Sequence, residues 1–192
     1  MANLYFRFGA MGSSKTANAL MTRYNYIDRG NNVIMLKPRI ENRDGERIIR
    51  SRLGLEAECM FVEEFLESIP DSGLSREEYA AVIVDEAQFL TGEQVEKLAE
   101  IADIYNITVI CYGLKTDFQS HLFEGSKRLL ELADKIEEIP TVCWCGRKAH
   151  FNARLLDGKI IREGEQFVLG GSEKYIALCR KHYMSGQVKK TE

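Results

Sequence analysis

The chain has 192 residues, of which 45% are apolar and 29% are charged, and its formal net charge is −3. This length predicts one domain with a small appendage, and the mild acidic excess disfavours a protein whose main task is to coat DNA or RNA. No stretch approaches the ~20 apolar residues that span a bilayer, and the first residues lack a signal-peptide pattern, so we expect a cytoplasmic protein with no membrane or nucleic-acid partner.

The first predicted elements are a strand, a glycine-bearing loop, a helix and a second strand. Residues 4–8 (LYFRF) form a short aromatic run that ends at Gly9. Residues 16–29 carry apolar side chains at helical spacing, and residues 33–36 (VIML) have the pattern of a buried strand. This order is typical of a βαβ unit. The polar, arginine-bearing residues 38–57 that follow are predicted to form a long loop.

Helices and strands continue to alternate up to Pro140. The predicted elements are a short helix at 63–68, a strand at 80–84, a helix that starts at Thr91, a strand at 107–112 and a helix at 129–136. Thr91 and Gln94 fit a capping box at the start of the third of these elements. The alternation predicts an α/β fold, a mostly parallel sheet with helices on both faces, over residues 1–138, and a second, smaller domain over residues 139–192.

The stretch GAMGSSKT, residues 9–16, is close to the phosphate-binding pattern G-x-x-x-x-G-K-[ST], with Ser14 where the second glycine belongs. A strand precedes it and a helix follows, so backbone N–H groups and the helix N-terminus would face an anion. Lys15 would reach the β- and γ-phosphates and Thr16 would ligate Mg²⁺. The alternative is a plain turn with a solvated lysine. The residues predicted to bind ATP are Gly9, Ala10, Met11, Gly12, Ser13, Ser14, Lys15 and Thr16.

An acidic pair, Asp85 and Glu86, follows the apolar run at 80–84. A carboxylate at the end of a buried strand holds Mg²⁺ in phosphate-loop enzymes, and Asp85 fits that role. Glu86 is then free to act as a base. The alternative is a strand that merely ends in polar residues.

Three of the five cysteines and one histidine form two close pairs, Cys143 with Cys145 and Cys179 with His182. Three thiolates and one imidazole suit tetrahedral Zn²⁺, and four protein ligands leave no open position, so we predict a structural zinc. His150 is a rival fourth ligand without a paired neighbour. The alternative is two buried thiols and a surface histidine.

Taken in order, the motifs make the chain similar to the cytosolic, RecA-like thymidine kinases with a zinc-bound lasso. The resemblance runs from Leu4 to Tyr183. It rests on GAMGSSKT (9–16), DEAQF (85–89), YGLKTDF (112–118), CWCGR (143–147), GGSEKY (170–175) and CRKH (179–182). The order and spacing of the six motifs, rather than any one of them, make the resemblance specific. Ser14 and the C-x-C spacing of Cys143 and Cys145 depart from the commonest family pattern.

The resemblance implies ATP- and Mg²⁺-dependent phosphorylation of the 5′-hydroxyl of thymidine, in pyrimidine nucleotide salvage. Glu86 corresponds to the family's proton acceptor, and Asp85 and Gln88 belong to the segment that contacts the phosphate donor. Residues implied to bind the nucleoside are Arg43, Phe89, Leu114, Phe118, Gly170 and Tyr175. The family is usually a homotetramer that thymidine triphosphate (dTTP) inhibits.

Two other classes of function stay open from the residues alone. The sequence DEAQ after an apolar strand also fits a phosphate-loop NTPase that acts on or binds nucleic acid, although 192 residues have no room for the second RecA-like domain that such helicases need. A protein that binds nucleotide and signals to a partner, without phosphoryl transfer, is the third candidate.

Overall fold

The computed structural model describes residues 2–40, 47–166 and 174–189. Its strands are β1 (Leu4–Phe8), β2 (Val33–Lys37), β3 (Ile48–Arg50), β4 (Glu56–Glu58), β5 (Met60–Phe61), β6 (Ala81–Val84), β7 (Thr108–Gly113), β8 (Lys135–Glu138), β9 (Phe151–Leu156), β10 (Lys159–Ile161) and β11 (Lys174–Leu178). Its helices are α1 (Lys15–Ile27), α2 (Val62–Ser68), α3 (Gly92–Ile104), α4 (Glu124–Leu132) and α5 (Arg180–Ser185), with a 3₁₀ turn at Ala87–Phe89.

Six strands form one parallel sheet in the order β5–β2–β6–β7–β1–β8. Alternate residues of its inner strands belong to two different buried clusters, because successive side chains of a strand point to opposite faces. Val82 and Val84 pack in the cluster that includes α3, whereas Ile83 packs in the cluster that includes α1. Both faces are therefore covered, and the predicted α/β fold is confirmed.

The helix predicted to start at Thr91 does so through the predicted capping box. The Thr91 hydroxyl accepts from the Gln94 backbone N–H at 3.2 Å, and the Gln94 side-chain oxygen accepts from the Thr91 N–H at 3.0 Å. Two backbone donors that a helix start leaves without partners are satisfied in this way.

The predicted helix at 129–136 is wrong in its second half. Helix α4 ends at Leu132, the backbone of Ala133 is extended, and residues 135–138 form edge strand β8 beside β1. The sequence KIEE has no strong strand preference by itself. Pairing with β1, together with a hydrogen bond of 2.7 Å from the Leu4 N–H to the Asp134 carboxylate, determines the extended conformation.

The predicted long loop at 38–57 is also partly wrong. Its second half is a short antiparallel hairpin in which β3 pairs with β4, from Ile48 opposite Glu58 to Arg50 opposite Glu56. The alternation is hidden in the sequence because only Ile49 and Ala57 of these two strands are buried.

Beyond β8 the chain forms what we call the C-terminal module: the turn at residues 143–146, the antiparallel sheet β10–β9–β11 and helix α5. The division of the chain at residues 138 and 139 stays a prediction. Among the residues that the structure describes, no helix combines the length and the apolar character needed to cross a membrane.

Candidate active site

A cleft of about 720 Å³ opens at the carboxyl ends of β1, β2, β6 and β7. The loop between β1 and α1 forms one wall, and the β3–β4 hairpin and the C-terminal module border the others. Ligands bind at this edge of open α/β sheets. Of the residues predicted to be functional, the cleft is lined by Met11, Gly12, Ser14, Lys15, Thr16, Asp85, Glu86, Gln88, Phe89, Leu114, Phe118 and Tyr175.

The other predicted residues of the phosphate loop support the loop without lining the cleft. Gly9 donates its N–H to the carbonyl of Gly113 at 3.2 Å. A Cβ on Gly9 would lie 2.4 Å from the Ser13 hydroxyl and 2.5 Å from the carbonyl of Ile139, so no other residue fits. Lys15 folds over the loop and donates to the carbonyls of Gly9 and Ala10, both at 3.0 Å. The Lys15 ammonium group is thus bonded to backbone carbonyls of its own loop.

Ser14, the departure from the glycine pattern, lies in the left-handed region at φ 60° and ψ 30° and forms the N-cap of α1. Its side chain makes no capping hydrogen bond. Left-handed backbone costs a residue with a Cβ about 1–2 kcal/mol. The position therefore has a glycine-like conformation with a serine in it.

Asp85 is 4% exposed and accepts a hydrogen bond from the Thr16 hydroxyl. Burial, with the neighbouring Glu86 carboxylate as the second cause, raises the pKa of Asp85 to about 7. A buried carboxylate beside a hydroxyl and a second carboxylate is a set of oxygen ligands that suits Mg²⁺. Thr16 and Asp85 are therefore able to share a cation at the foot of the phosphate loop.

Glu86 is held beside this pair in a left-handed conformation, at φ 53° and ψ 36°. The side-chain amide of Gln88 donates to the Glu86 carboxylate at 2.5 Å, and its oxygen accepts from the Leu114 N–H at 3.0 Å. Gln88 thus fixes Glu86 relative to the segment after β7. A carboxylate that is held in one orientation and is not fully buried is able to accept a proton from a ligand in the cleft.

Another part of the cleft is lined by aromatic side chains. Phe118 is 1% exposed, and the guanidinium of Arg154 lies 4.7 Å from its ring centroid. Phe89 meets Phe123 edge to face, with ring centroids 5.7 Å apart. A flat apolar ligand with a few polar atoms fits such a pocket.

Several lining residues were not predicted as site residues, among them Lys37, Asp117, Phe123, Asn152 and Gln166. They come from four separate stretches of the chain, so no single local spacing relates all of them. The hairpin tip, residues 49–54, also lines the cleft. In the sequence, the signal for this part of the cleft was the presence of arginines within a long polar stretch. Arg43 and Gly170, both predicted to bind the nucleoside, lie outside the described residues.

Cys143, Cys145, Cys179 and His182 come together with their ligand atoms within 4.8 Å of one another. The Cys145 and Cys179 sulfurs are 3.9 Å apart, and His182 Nδ1 lies 3.4 Å from the Cys143 sulfur and 3.6 Å from that of Cys179. A zinc tetrahedron with ordinary bond lengths has edges of about 3.8 Å between sulfurs and about 3.5 Å between sulfur and nitrogen. The four side chains therefore fit a tetrahedral metal ion.

The surroundings of the cluster also hold one of its side chains in place. Trp144 stacks on the His182 ring with centroids 4.1 Å apart. The rival ligand, His150, instead pairs with Glu138 at 3.1 Å.

Comparison with known proteins gives one consistent family. A family model described as thymidine kinase matches residues 2–183. The thymidine kinase of Zymomonas mobilis is 45% identical over 96% of this chain and 97% of that protein. Those of Coxiella burnetii and Lactococcus lactis are 44% and 42% identical, over 100% and 98% of this chain and the whole of each relative.

Among solved structures, the crystal structure of Bacteroides Pif1 bound to ssDNA aligns with 71% of this chain and 38% of that chain, at a TM-score of 0.42 and 14% identity. A likeness at that level carries no argument about function. By contrast, the three thymidine kinases above are 42–45% identical to this chain over 96% or more of its length. This chain belongs to the thymidine kinase family and is a phosphotransferase.

Proposed function

We propose that this thymidine kinase transfers the γ-phosphoryl group of ATP to the 5′-hydroxyl of thymidine, with Glu86 as the proton acceptor. The observation that carries the proposal is the layout of the cleft. Lys15, Thr16 and Asp85, a group of aromatic side chains and the oriented Glu86 carboxylate all line the same cleft.

At the phosphate end, the N-terminus of α1 and the loop N–H groups other than those of Gly9, Met11 and Ser13, which are bonded within the protein, receive the phosphates. Lys15 exchanges its loop carbonyls for the β- and γ-phosphate oxygens. Thr16 and Asp85 would hold Mg²⁺, whose charge would neutralise that of the transferred group. Because Asp85 is buried, a cation there also removes the cost of its negative charge.

At the acceptor end, Glu86 accepts the proton of the attacking hydroxyl. Gln88 supports this role because its hydrogen bond at 2.5 Å orients the Glu86 carboxylate. Phe89, Leu114, Phe118 and Tyr175 enclose the base, and Arg43 and Gly170 complete the nucleoside site by analogy with the family.

The Cys143, Cys145, Cys179 and His182 cluster holds a structural Zn²⁺. The donor set and the distances between donors support this assignment, since they match the edges of a zinc tetrahedron. All four positions are protein ligands, so the ion has no open site for chemistry. It joins the two ends of the C-terminal module.

The proposal is tested by a transfer assay with γ-labelled ATP, Mg²⁺ and one acceptor at a time: thymidine, deoxycytidine, deoxyadenosine, deoxyguanosine or none. Label in thymidine monophosphate alone is the expected result. Label released as free phosphate, and more of it when DNA or RNA is added, would instead favour the NTPase reading. Nucleotide binding without any labelled product would favour a signalling role.

We infer from the family that the enzyme is a homotetramer and that dTTP inhibits it. Light scattering on the purified protein measures the mass of the particle against the 21.9 kDa chain. A dTTP titration of the transfer assay measures the inhibition, and an unchanged rate at millimolar dTTP would exclude it.

A further inference from the structure

We propose that Asn152 is a positioning residue through which the C-terminal module sets the geometry of the phosphate loop. This inference rests on the proposed function in one respect, the assignment of residues 9–16 to the phosphate donor. It gives the C-terminal module a second role. Besides bordering the nucleoside site, the module would position the loop that binds ATP.

The two polar ends of the Asn152 side chain bind two different loops. Its oxygen accepts from the backbone N–H of Met11 at 2.7 Å, and its nitrogen donates to the carbonyl of Thr116 at 2.9 Å. Met11 belongs to the phosphate loop, and Thr116 belongs to the segment after β7 that also contributes Leu114 and Phe118 to the cleft. One side chain therefore joins the walls of the donor and acceptor ends.

The environment makes this connection stiff. Asn152 is 3% exposed and lies on the middle strand of the small antiparallel sheet, opposite Ala177 of β11. Breaking its contacts removes the partners of two part-buried backbone groups, which costs more than the loss of a fully exposed hydrogen bond. A displacement of β9 would therefore also displace the backbone of Met11.

A second contact from the module provides a natural control, because it reaches the acceptor wall alone. Tyr183 is 3% exposed and follows the metal-cluster residue His182. Its hydroxyl donates to the carbonyl of Phe118 at 2.5 Å, and its ring stacks on Phe151 with centroids 4.7 Å apart. Tyr183→Phe removes this hydrogen bond and keeps the ring, so it perturbs the module without touching the phosphate loop.

The test uses three variants of the full chain: Asn152→Ala, Asn152→Leu and Tyr183→Phe. The loss of a hydrogen bond of this kind predicts a rise of about five- to tenfold in the Kd and KM for ATP in both Asn152 variants. Tyr183→Phe is expected to raise the KM for thymidine and to leave ATP binding within about twofold of wild type. Leucine keeps the branched skeleton of asparagine and leaves no cavity, so equal effects of alanine and leucine assign the change to hydrogen bonding rather than to a cavity.

A direct readout does not depend on activity. The chain has six methionines, so selective ¹⁵N-methionine labelling gives a sparse spectrum in which Met11→Leu assigns the loop amide. We expect the Met11 amide of the nucleotide-free wild type to be protected from hydrogen exchange, and Asn152→Leu to remove that protection while Met21 of α1 stays unchanged. An unprotected Met11 amide in the wild type would overturn the inference even if the variants failed to fold.

The two proposals fail in distinguishable ways. Normal thymidine phosphorylation with unchanged ATP affinity and Met11 exchange in the Asn152 variants would refute the positioning role and leave the function intact. Absence of thymidine phosphorylation in the wild type, with the predicted exchange and ATP-binding changes in the variants, would do the reverse.

Discussion

The two ends of the cleft are stabilised differently. At the phosphate end, Ser14 and Glu86 have left-handed backbone and the buried Asp85 has a raised pKa. At the nucleoside end, polar groups are already satisfied: the Phe118 carbonyl by Tyr183, and the Asp117 carboxylate by Gln166. The predicted phosphate end thus combines left-handed backbone with a buried carboxylate whose negative charge is costly, whereas polar groups at the predicted nucleoside end are already hydrogen-bonded, one of them by Tyr183 of the C-terminal module.

The largest effect that tests this comparison is expected at Glu86. Glu86→Gln keeps the shape of the side chain and removes the base, so kcat should fall on the order of 10²–10⁴-fold while thymidine affinity is retained. Steady-state kinetics and calorimetry measure the two quantities. Glu93→Gln, at an exposed glutamate paired with Lys97 on α3, is the matched control. A kcat for Glu86→Gln close to that of the control would remove Glu86 from its role.

The next effect concerns how the nucleoside end is organised. Cys179→Ser removes one ligand of the tetrahedral set, so we expect metal affinity to fall on the order of 10²-fold or more and thymidine KM to rise with it. Metal analysis and kinetics on the same sample measure both. Cys59→Ser, a cysteine outside the cluster, is the control. Full activity in wild-type protein that contains no zinc would contradict the structural role.

The next effect is the pH dependence of stability, which tests whether ionised Asp85 is costly in the folded protein. Because its folded pKa, about 7, is above its unfolded value, the folded state holds an extra proton between about pH 4 and 7. Asp85 therefore destabilises the protein increasingly as pH rises through that window, and no further above it. Asparagine does not titrate.

Without Mg²⁺, the free energy of unfolding of Asp85→Asn should therefore exceed that of wild type by an amount that grows from pH 4 to 7, to on the order of 4 kcal/mol. The variant should also lose activity. Urea titrations at several pH values measure the difference, and a difference that is independent of pH would show that Asp85 is ionised without cost.

The smallest effect is expected at Ser14. Ser14→Gly relieves about 1–2 kcal/mol of left-handed strain but adds about 0.5–1 kcal/mol of unfolded-state entropy, so net stability should rise by no more than about 1.5 kcal/mol. The KM for ATP should stay within about threefold of wild type. Gly12→Ala, at φ 77°, is the opposite case and should destabilise. A tenfold change in ATP KM on Ser14→Gly would mean that the serine tunes nucleotide binding.

Most of the phosphate end was predictable because its chemistry is local. A strand, a loop of small residues and a helix are adjacent in sequence, and Asp85 and Glu86 directly follow a strand that is apolar throughout. The four metal-cluster residues were also predictable, since cysteine and histidine pairs have few other uses at that spacing. The sequence favoured His182 over His150 because the partner of His182 lies three residues away in the chain, and His182 is the histidine that the structure groups with the three cysteines.

Sequence alone determined the alternation of strands and helices, the capping box at Thr91, the phosphate loop and the family. Each depends on neighbours within a few residues or on the order of whole motifs. Tertiary structure alone decided that residues 135–138 form a strand and that Asn152, Asp117 and Phe123 line the cleft. The physical reason is that hydrogen bonds and contacts between residues more than 100 positions apart, such as Met11 with Asn152, leave no periodic trace in the chain.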